Sequence, residues 1–229
     1  MAGNTQPMID LRIFYTKLGD AKYISHLDVY RCMQRAIKRA RLPVWYTQGF
    51  NPHLYLTFAL PLSLGYESSC ETMDFRLTAE LSPQEVLERL NASLPTGMQA
   101  YKAAPPVMKA DQICWADFEL LLRSDGVSRQ EEMASAWETY LGQESLPVEK
   151  KTKKGVAQID IRPNVQLLGL DKGGEAGGVW TKLRLSAGNQ LNINPSLVLA
   201  GFSALWGREP SSVSVKKTGV YTEQLCSFE

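Results

Sequence analysis

Apolar residues in the first half of the chain fall into four short runs that alternate or are rich in β-branched and aromatic side chains, as strands are. The predicted strands are Leu11–Thr16, Leu54–Ala59, Thr72–Thr78 and Met98–Ala103. A first helix is predicted from Ser25, with Asp28 as in a capping box, to about Arg41. A second begins at Ser82-Pro83 and ends before Pro95. In the first helix, the residues predicted to face the core are Leu27, Tyr30, Met33 or Gln34, Ile37 and Ala40.

The second half is predicted to repeat the order β-α-β-β-α-β of the first. Its predicted strands are Trp115–Arg123, Val156–Leu170 (broken near Pro163), Val179–Ser186 and Val213–Tyr221. Its helices are predicted over Ser128–Leu141, with Ser128 as the N-cap, and from Asn194-Pro195. Two segments, Lys150–Lys154 and Asp171–Gly178, are predicted to be mobile loops.

This order predicts an α+β protein of two tandem ferredoxin-like (βαββαβ) units with antiparallel sheets. We expect an N-terminal unit over residues 1–103, a linker over 104–113 and a C-terminal unit over 114–229. A fold of this kind hosts many unrelated functions, so function must be argued from particular residues.

The composition of the chain indicates a cellular location but does not indicate an activity. The 229 residues have a net charge of +1, so any electrostatic surface is local. No two of the four cysteines have CxxC spacing, and we expect neither a zinc ribbon nor a bound metal. No apolar run approaches the roughly 20 residues of a membrane span, and the polar N-terminus resembles no signal peptide. These features predict a cytoplasmic protein without membrane contact.

A basic surface is predicted on the first helix. Arg31, Arg35 and Arg39 have i, i+4, i+8 spacing, and Lys38 lies beside them. The segment 22–53 contains six Lys and Arg residues and one acidic residue, an excess of five positive charges. Such a surface suits a phosphate backbone, because each neutralised phosphate releases counterions. The alternative is an ordinary solvated helix face.

The segment that follows the helix is rich in turn and hydrogen-bonding residues. Gln48, Phe50, Asn51 and His53 offer a ring and polar groups that suit stacking on a base or sugar with polar readout. A purely structural turn explains the Asn51-Pro52 pair equally well.

His26 and His53, the two histidines of the chain, both belong to this region. They are weak candidates for an acid–base pair in RNA cleavage, since imidazole titrates near neutrality. Structural or binding roles are the main alternative. The lysines of Lys150–Lys154, and Lys216-Lys217 in the last strand, either extend a nucleic-acid surface or are solvated loop and strand residues.

Several of these segments together resemble a known family. They are Ile24–Asp28 (ISHLD), Leu42-Pro43, Tyr46–His53 (YTQGFNPH), Leu60–Gly65, Lys154-Gly155 with Ile159–Pro163 (IDIRP), and Lys217–Tyr221. The chain resembles the bacterial radical-SAM-linked (radical-SAM-associated) domain of unknown function over nearly its whole length. Thr47 replaces the usual Ser, and Lys217 replaces an Arg, which weakens any bidentate role there.

The resemblance implies a partner rather than a reaction. Members of that family are often fused to, or encoded beside, a radical SAM protein, near ribosomal-protein genes and an RNase of the E/G type. This chain lacks the radical SAM cysteine triad CxxxCxxC, so the iron–sulfur cluster and S-adenosylmethionine would belong to a partner.

Three hypotheses follow. The first is an RNA-binding accessory module that acts with a radical SAM partner on tRNA or rRNA. The second is a docking module for that partner without RNA contact. The third is a metal-independent endoribonuclease or RNA-modifying enzyme. The sequence favours the first, and hence no catalysis by the isolated chain.

Overall fold

The computed structural model describes residues 8–152, 155–172, 178–189 and 191–229. This part of the chain is a mixed α+β structure with four α-helices and antiparallel strand pairing. The helices are α1 (His26–Arg39), α2 (Pro83–Asn91), α3 (Val127–Leu141) and α4 (Pro195–Trp206). None of these helices is both long and apolar enough to cross a membrane.

The chain divides into two compact units. The first runs to Ala110 and includes Glu229, and the second is Asp111–Phe228. The boundary therefore lies inside the segment 104–113 that the sequence analysis assigned to a linker. That segment begins with the last residue of a strand, Ala104, and includes a short 3-10 helix, Ala110–Gln112.

The first unit has the element order that its hydrophobic pattern predicts. Its strands are β1 (Ile9–Lys17), β2 (Leu56–Phe58), β3 (Glu67–Leu77) and β4 (Met98–Ala104). They lie in the order β4-β1-β3-β2, and each neighbouring pair is antiparallel. Alternate strand residues and one face of each helix form its core, which includes Leu11, Ile13, Tyr15, Val29, Met33, Ile37, Met73, Phe75, Val86 and Leu90.

Helix α1 begins as predicted and faces the core slightly differently. The Ser25 hydroxyl accepts a hydrogen bond from the Asp28 backbone N–H, as an N-cap does. The buried stripe is Val29, Met33, Ala36 and Ile37. The prediction that Leu27 faces the core is wrong, since it is 57% exposed. With about 100° per residue, Leu27 lies about 120° from Met33, on the flank of the helix rather than beneath it.

The second unit has more strands than predicted. They are β5 (Trp115–Arg123), β6 (Pro147–Thr152), β7 (Gly155–Asp160), β8 (Val165–Asp171), β9 (Val179–Ser186) and β10 (Ser212–Tyr221). Four of them lie in the antiparallel order β10-β5-β9-β8, whereas β6 and β7 form a separate two-stranded hairpin.

The simple βαββαβ order predicted for this half is therefore wrong. A 3-10 turn, Arg162–Asn164, divides the predicted strand Val156–Leu170 into β7 and β8. The predicted loop at Lys150–Lys154 begins inside β6. At the start of that strand, buried Val148 alternates with exposed Pro147 and Glu149. The run of lysines obscured that period-two pattern. Lys153 and Lys154, and residues 173–177 of the other predicted loop, lie outside the described residues.

The start of α3 also differs from the prediction. Ser128 is not the N-cap, because the helix begins at Val127 after Gly126, whose φ of 81° suits glycine. The backbone N–H of Gln130 donates to the Gly126 carbonyl, and the Gln130 side chain accepts from the Ser124 N–H. Gly126 therefore occupies the N-cap position that was predicted for Ser128.

An aromatic cluster joins the two helices of the second unit. Trp137 and Tyr140 of α3 contact Phe202 of α4 with ring centroids 4.8 and 5.9 Å away. Gly201 packs so closely that an added Cβ would clash with the Tyr140 Oη and lie 2.8 Å from Val148 of β6. The apolar helix α4 is therefore enclosed by α3 on one side and the β6–β7 hairpin on another.

Candidate nucleic-acid interface

The outward face of α1 carries the predicted cations. Arg31, Arg35, Lys38 and Arg39 are exposed, on the opposite side of the helix from its buried stripe. Their four positive charges against the single acid Asp28 give the helix a net charge of +3. Basic residues in the last turn also interact favourably with the helix dipole. The amphipathic pattern and the dipole thus both favour cations at these positions.

The four cations differ in what already binds them. The Arg31 Nη1 is 3.2 Å from the Asp28 Oδ1, and both side chains are exposed. The Arg39 Nη2 donates to the Ser93 carbonyl at 2.6 Å. The side chains of Arg35 and Lys38 form no hydrogen bond or ion pair with any other described residue. These two side chains are therefore the ones most available to an anionic ligand.

Asp28 is fixed in its charged form at the start of the helix. The Ser25 hydroxyl donates to the Asp28 Oδ2 at 2.7 Å. This hydrogen bond, and then the one from Arg31, lowers the pKa of Asp28. One carboxylate therefore offsets part of the basic charge at this end of α1, and the excess of cations is concentrated further along the helix.

The predicted loop is the tip of an irregular hairpin. Tyr46 forms an antiparallel bridge with Leu54, and the Thr47 N–H donates to the His53 carbonyl at 2.8 Å. Between these paired residues, Gln48, Phe50 and Asn51 are exposed. Gly49 has a φ of 134°, a conformation that favours glycine, which lets the chain reverse there.

His53 helps to hold this loop. Its Nδ1 lies 3.0 Å from the Thr47 Oγ1 and 3.1 Å from the Asn51 carbonyl. Its backbone N–H also donates to the Thr47 Oγ1. The threonine that replaces serine at this position therefore retains the hydroxyl that the loop uses.

The two histidines have different neighbours. The ring of His26 packs edge-on against Phe58 of β2, with centroids 5.1 Å apart. No hydrogen bond or ring contact among the described residues joins His26 to His53. Their role as an acid–base pair remains a prediction, and the structure gives each a separate packing or hydrogen-bonding role.

One cluster beside the loop was missed by the sequence analysis. The Arg76 guanidinium of β3 lies 4.9 Å from the ring centroid of Tyr55 and 5.6 Å from that of Trp45. The Arg76 Nε also donates to Asp10 at 2.6 Å. A signal did exist, because the pairing of Tyr46 with Leu54 places Trp45 and Tyr55 beside one another. Only β3, distant in sequence, adds the arginine.

Two aromatic side chains of helix α1 contact β2, the strand that follows the hairpin. Tyr30 and His26, one turn apart, both contact Phe58. Since successive residues are about 100° apart, Lys38 lies about 80° from Tyr30, whereas Arg39 lies on the far side of the helix, near Ser93. Arg39 and Tyr30 thus lie on opposite sides of the helix.

The other predicted basic residues do not extend this surface in a simple way. Lys217 is buried, with 2% of its surface exposed. Lys150 and Lys151 lie in β6. The Asp160 of the IDIRP segment has a structural role, since its Oδ1 accepts from the Leu146 and Arg162 backbone N–H groups at 2.7 and 2.9 Å.

Two cavities lie elsewhere in the units. One of about 410 Å³ in the first unit is lined by Thr16, Leu18, Asn91, Gly97, Met98 and Gln99. Another of about 470 Å³ in the second unit includes Cys114, Trp115, Asn164 and Ser186. Neither includes a predicted site residue. Within the described ranges, no group of three or more His, Cys, Asp or Glu side chains is placed to hold a metal ion.

Comparison with known proteins gives a family without an activity. Residues 10–195 match the family described as "Uncharacterized protein conserved in bacteria (DUF2344)". No curated protein is detectably similar to the chain. A crystal structure of an unknown protein from Galdieria sulphuraria is similar over 92% of this chain and 98% of that chain, at 12% identity and a TM-score of 0.27. A likeness this distant carries no argument about fold or function.

Proposed function

This chain belongs to DUF2344, a family of uncharacterised proteins conserved in bacteria, and we propose that it binds RNA as an accessory module. The observation that carries the proposal is the charge of α1, with four exposed cations against one acid. Arg35 and Lys38 are exposed and have no hydrogen-bonding or ionic partner among the described residues. They are proposed to bind backbone phosphates, while Arg31 exchanges its ion pair with Asp28 for a phosphate.

The exposed loop 48–53 supports RNA over an unspecific anion. Phosphate contacts position a nucleic acid, whereas base and sugar contacts add selectivity. The exposed loop offers Gln48 and Asn51 amides beside the Phe50 ring. Such groups recognise unstacked bases and hydroxyls. Arg39 is expected to contribute less to RNA binding, because its guanidinium already binds the Ser93 carbonyl.

The direct test measures binding of the full-length chain to tRNA and to rRNA fragments over a salt series. Affinity is expected to fall steeply with salt, and Arg35→Glu is expected to weaken it about tenfold and reduce the salt slope by about 1. Arg129→Glu is the matched control, because Arg129 is also an exposed arginine on a helix, near the start of α3. Affinity that ignores salt, or that falls equally in both variants, overturns the proposal.

We also propose that both units are ferredoxin-like. The orders β4-β1-β3-β2 and β10-β5-β9-β8, with antiparallel neighbours, support this assignment. In the second unit the β6–β7 hairpin is then an insertion between the first helix and the second sheet strand. An experimental structure of each unit, compared with ferredoxin-like domains, tests it.

The partner is a separate part of the proposal. The resemblance of the Ile24–Asp28 and Tyr46–His53 segments to radical-SAM-linked domains supports a radical SAM protein that supplies the iron–sulfur cluster and S-adenosylmethionine. Co-purification of the two proteins, with and without RNase treatment, tests this. A complex that survives RNase while the chain alone binds no RNA would instead support the protein-docking hypothesis.

A further inference from the structure

Aromatic side chains lie along the edge of the first unit, at the tip of the loop and below it. At its tip the Phe50 ring is fully exposed. Below the tip, the Trp45 and Tyr55 rings are 5.9 Å apart and inclined by 66°. Arg76 lies over both rings. Together we call Trp45, Phe50, Tyr55 and Arg76 the stacking edge.

Two sets of hydrogen bonds hold the stacking edge before any ligand binds. The ion pair between the Arg76 Nε and Asp10, at 2.6 Å, fixes the guanidinium plane. At the loop, Thr47 and His53 are joined by backbone and side-chain hydrogen bonds. Preorganised groups lose less conformational freedom when they bind a ligand. The loop backbone and the Arg76 guanidinium are therefore preorganised for a flat partner, and the fully exposed Phe50 ring is free to stack on it.

From this edge we infer that the RNA bound by this chain presents unpaired bases, one of which stacks on Phe50. The inference rests on the proposed function and specifies its substrate class. Base faces are hidden inside a duplex, so an exposed ring and a guanidinium plane can stack only on splayed or single-stranded bases. The cations of α1 bind the phosphates of the same RNA.

The neighbours of Phe50 favour a base over an apolar protein surface. Gln48, Asn51 and His53 lie within three residues of Phe50 in the sequence and are exposed. A protein hot spot usually lies in a packed pocket from which water is excluded, whereas these side chains are solvent-exposed hydrogen-bonding groups. Such groups match the donors and acceptors on the edges of an unpaired base.

The test compares a fluorescently labelled single-stranded RNA of about twelve nucleotides with the blunt duplex of the same sequence, using the full-length chain. Phe50→Ala is expected to weaken single-strand binding about tenfold and leave duplex binding unchanged. Phe50→Tyr keeps the ring and is expected to retain the single-strand affinity. Because Phe50 is fully exposed, both variants should fold, which circular dichroism verifies.

The outcomes separate this inference from the proposed function. If Arg35→Glu weakens RNA binding but Phe50→Ala changes nothing, the chain binds RNA through phosphates alone and the stacking inference is overturned. Equal losses on single strand and duplex overturn it as well. If the unmodified chain binds neither RNA at low salt, the proposed function itself fails. Loss of binding to a protein partner in Phe50→Ala, without RNA binding, would assign the stacking edge to docking.

Discussion

The two units share a strand order but differ in their outer surfaces. In each, the first and third sheet strands are joined by a cross-strand Arg–Asp pair, with the order of charges reversed. Arg12 of β1 binds Asp74 of β3 through two hydrogen bonds of 2.7 Å. Asp117 of β5 accepts two from Arg184 of β9 at 2.7 and 2.9 Å. The same sheet geometry thus supports the same bidentate pair from either strand.

The helices show the difference. Helix α1 has a net charge of +3 and leaves its cations exposed, whereas α3 carries Arg129 against three glutamates, a net charge of −2. Helix α4 has no charged residue and packs against β6. The additional strands of the second unit therefore serve to bury an apolar helix. This contrast assigns the proposed nucleic-acid surface to the first unit, and each prediction below tests how one of the two units is held together.

The largest expected effect comes from breaking the ion pair of the first unit. Asp74→Ala leaves the Arg12 side chain, 2% exposed, without its carboxylate, and should lower the free energy of unfolding by about 3–4 kcal/mol. Asp117→Ala should cost about 2–3 kcal/mol, because Arg184 is 14% exposed and retains the Tyr221 ring at 4.5 Å. Urea unfolding gives both values.

A matched control for this prediction is the exposed pair on the same sheet. Asp10→Ala removes the partner of Arg76 where both side chains are partly exposed, so the expected loss is below about 1 kcal/mol. Hydrogen exchange measured by peptide should place the loss from Asp74→Ala in the first unit and that from Asp117→Ala in the second. Equal losses from Asp10→Ala and Asp74→Ala would contradict the assigned importance of burial.

Close packing in the second unit should give the next largest effect. Gly201→Ala places a methyl group against the Tyr140 hydroxyl and Val148, and is expected to destabilise the protein by about 2 kcal/mol. In the Tyr140→Phe background the loss should be smaller, since one clashing atom is gone. A double-mutant cycle by urea unfolding measures this coupling. Additive effects would mean that the helix moves as a whole to avoid both contacts.

Loss of the cap on α1 should have a moderate effect on stability. Ser25→Ala removes the hydroxyl that accepts from the Asp28 N–H and donates to its carboxylate, and should cost about 1 kcal/mol. The pKa of Asp28, which that hydrogen bond lowers, should rise. Thermal unfolding and carboxyl NMR titration measure the two effects. Ser25→Thr, which keeps a hydroxyl at the N-cap, should preserve most of the stability and serves as the control.

The smallest expected effect is a gain. The buried Tyr140 hydroxyl has no hydrogen-bond partner among the described residues, so Tyr140→Phe should be neutral or stabilising by up to about 1 kcal/mol. Burial raises the pKa of Tyr140 to about 12. Because the unfolded phenol ionises near pH 10, the stability is fully present below about that pH and falls as the pH rises toward about 12.

The variant should therefore weaken this alkaline loss. Denaturant unfolding at about pH 7 and at about pH 10.5 compares the two proteins. An identical decrease in both would show that other groups, such as the buried Tyr15, whose pKa burial also raises, control the alkaline transition.

Elements that depend on neighbouring residues were predicted correctly more often than elements that depend on residues distant in sequence. The cap at Ser25 and the strand Trp115–Arg123 were predicted correctly, since each depends on neighbouring residues. The cap at Ser128 was predicted wrongly, because Gly126, with a φ of 81° that suits glycine, occupies the N-cap position instead. Strand β6 was missed because lysines obscured its alternation, and its Val148 packs against a helix about fifty residues later.

Some features of the candidate site could likewise be predicted from neighbouring residues, and others could not. Spacing alone placed Arg31 and Arg35 on one outward face, because helical geometry fixes which residues share a side. Nothing local indicated that Arg39 would bind the Ser93 carbonyl or that Lys217 would be buried, since both depend on residues distant in sequence. The roles of Arg35, Lys38 and the exposed loop in binding remain predictions.

The sequence by itself thus determined the periodic features of this protein: its amphipathic helices, most of its strands and the basic face of α1. The tertiary structure alone decided which polar groups are already bound and which are available. Arg76 illustrates this, because an arginine in β3 became part of an aromatic edge only when the hairpin placed Trp45 and Tyr55 over it. Periodicity depends on residues that are close in sequence. Hydrogen-bond and stacking partners, in contrast, often come from distant chain segments that meet only when the protein folds.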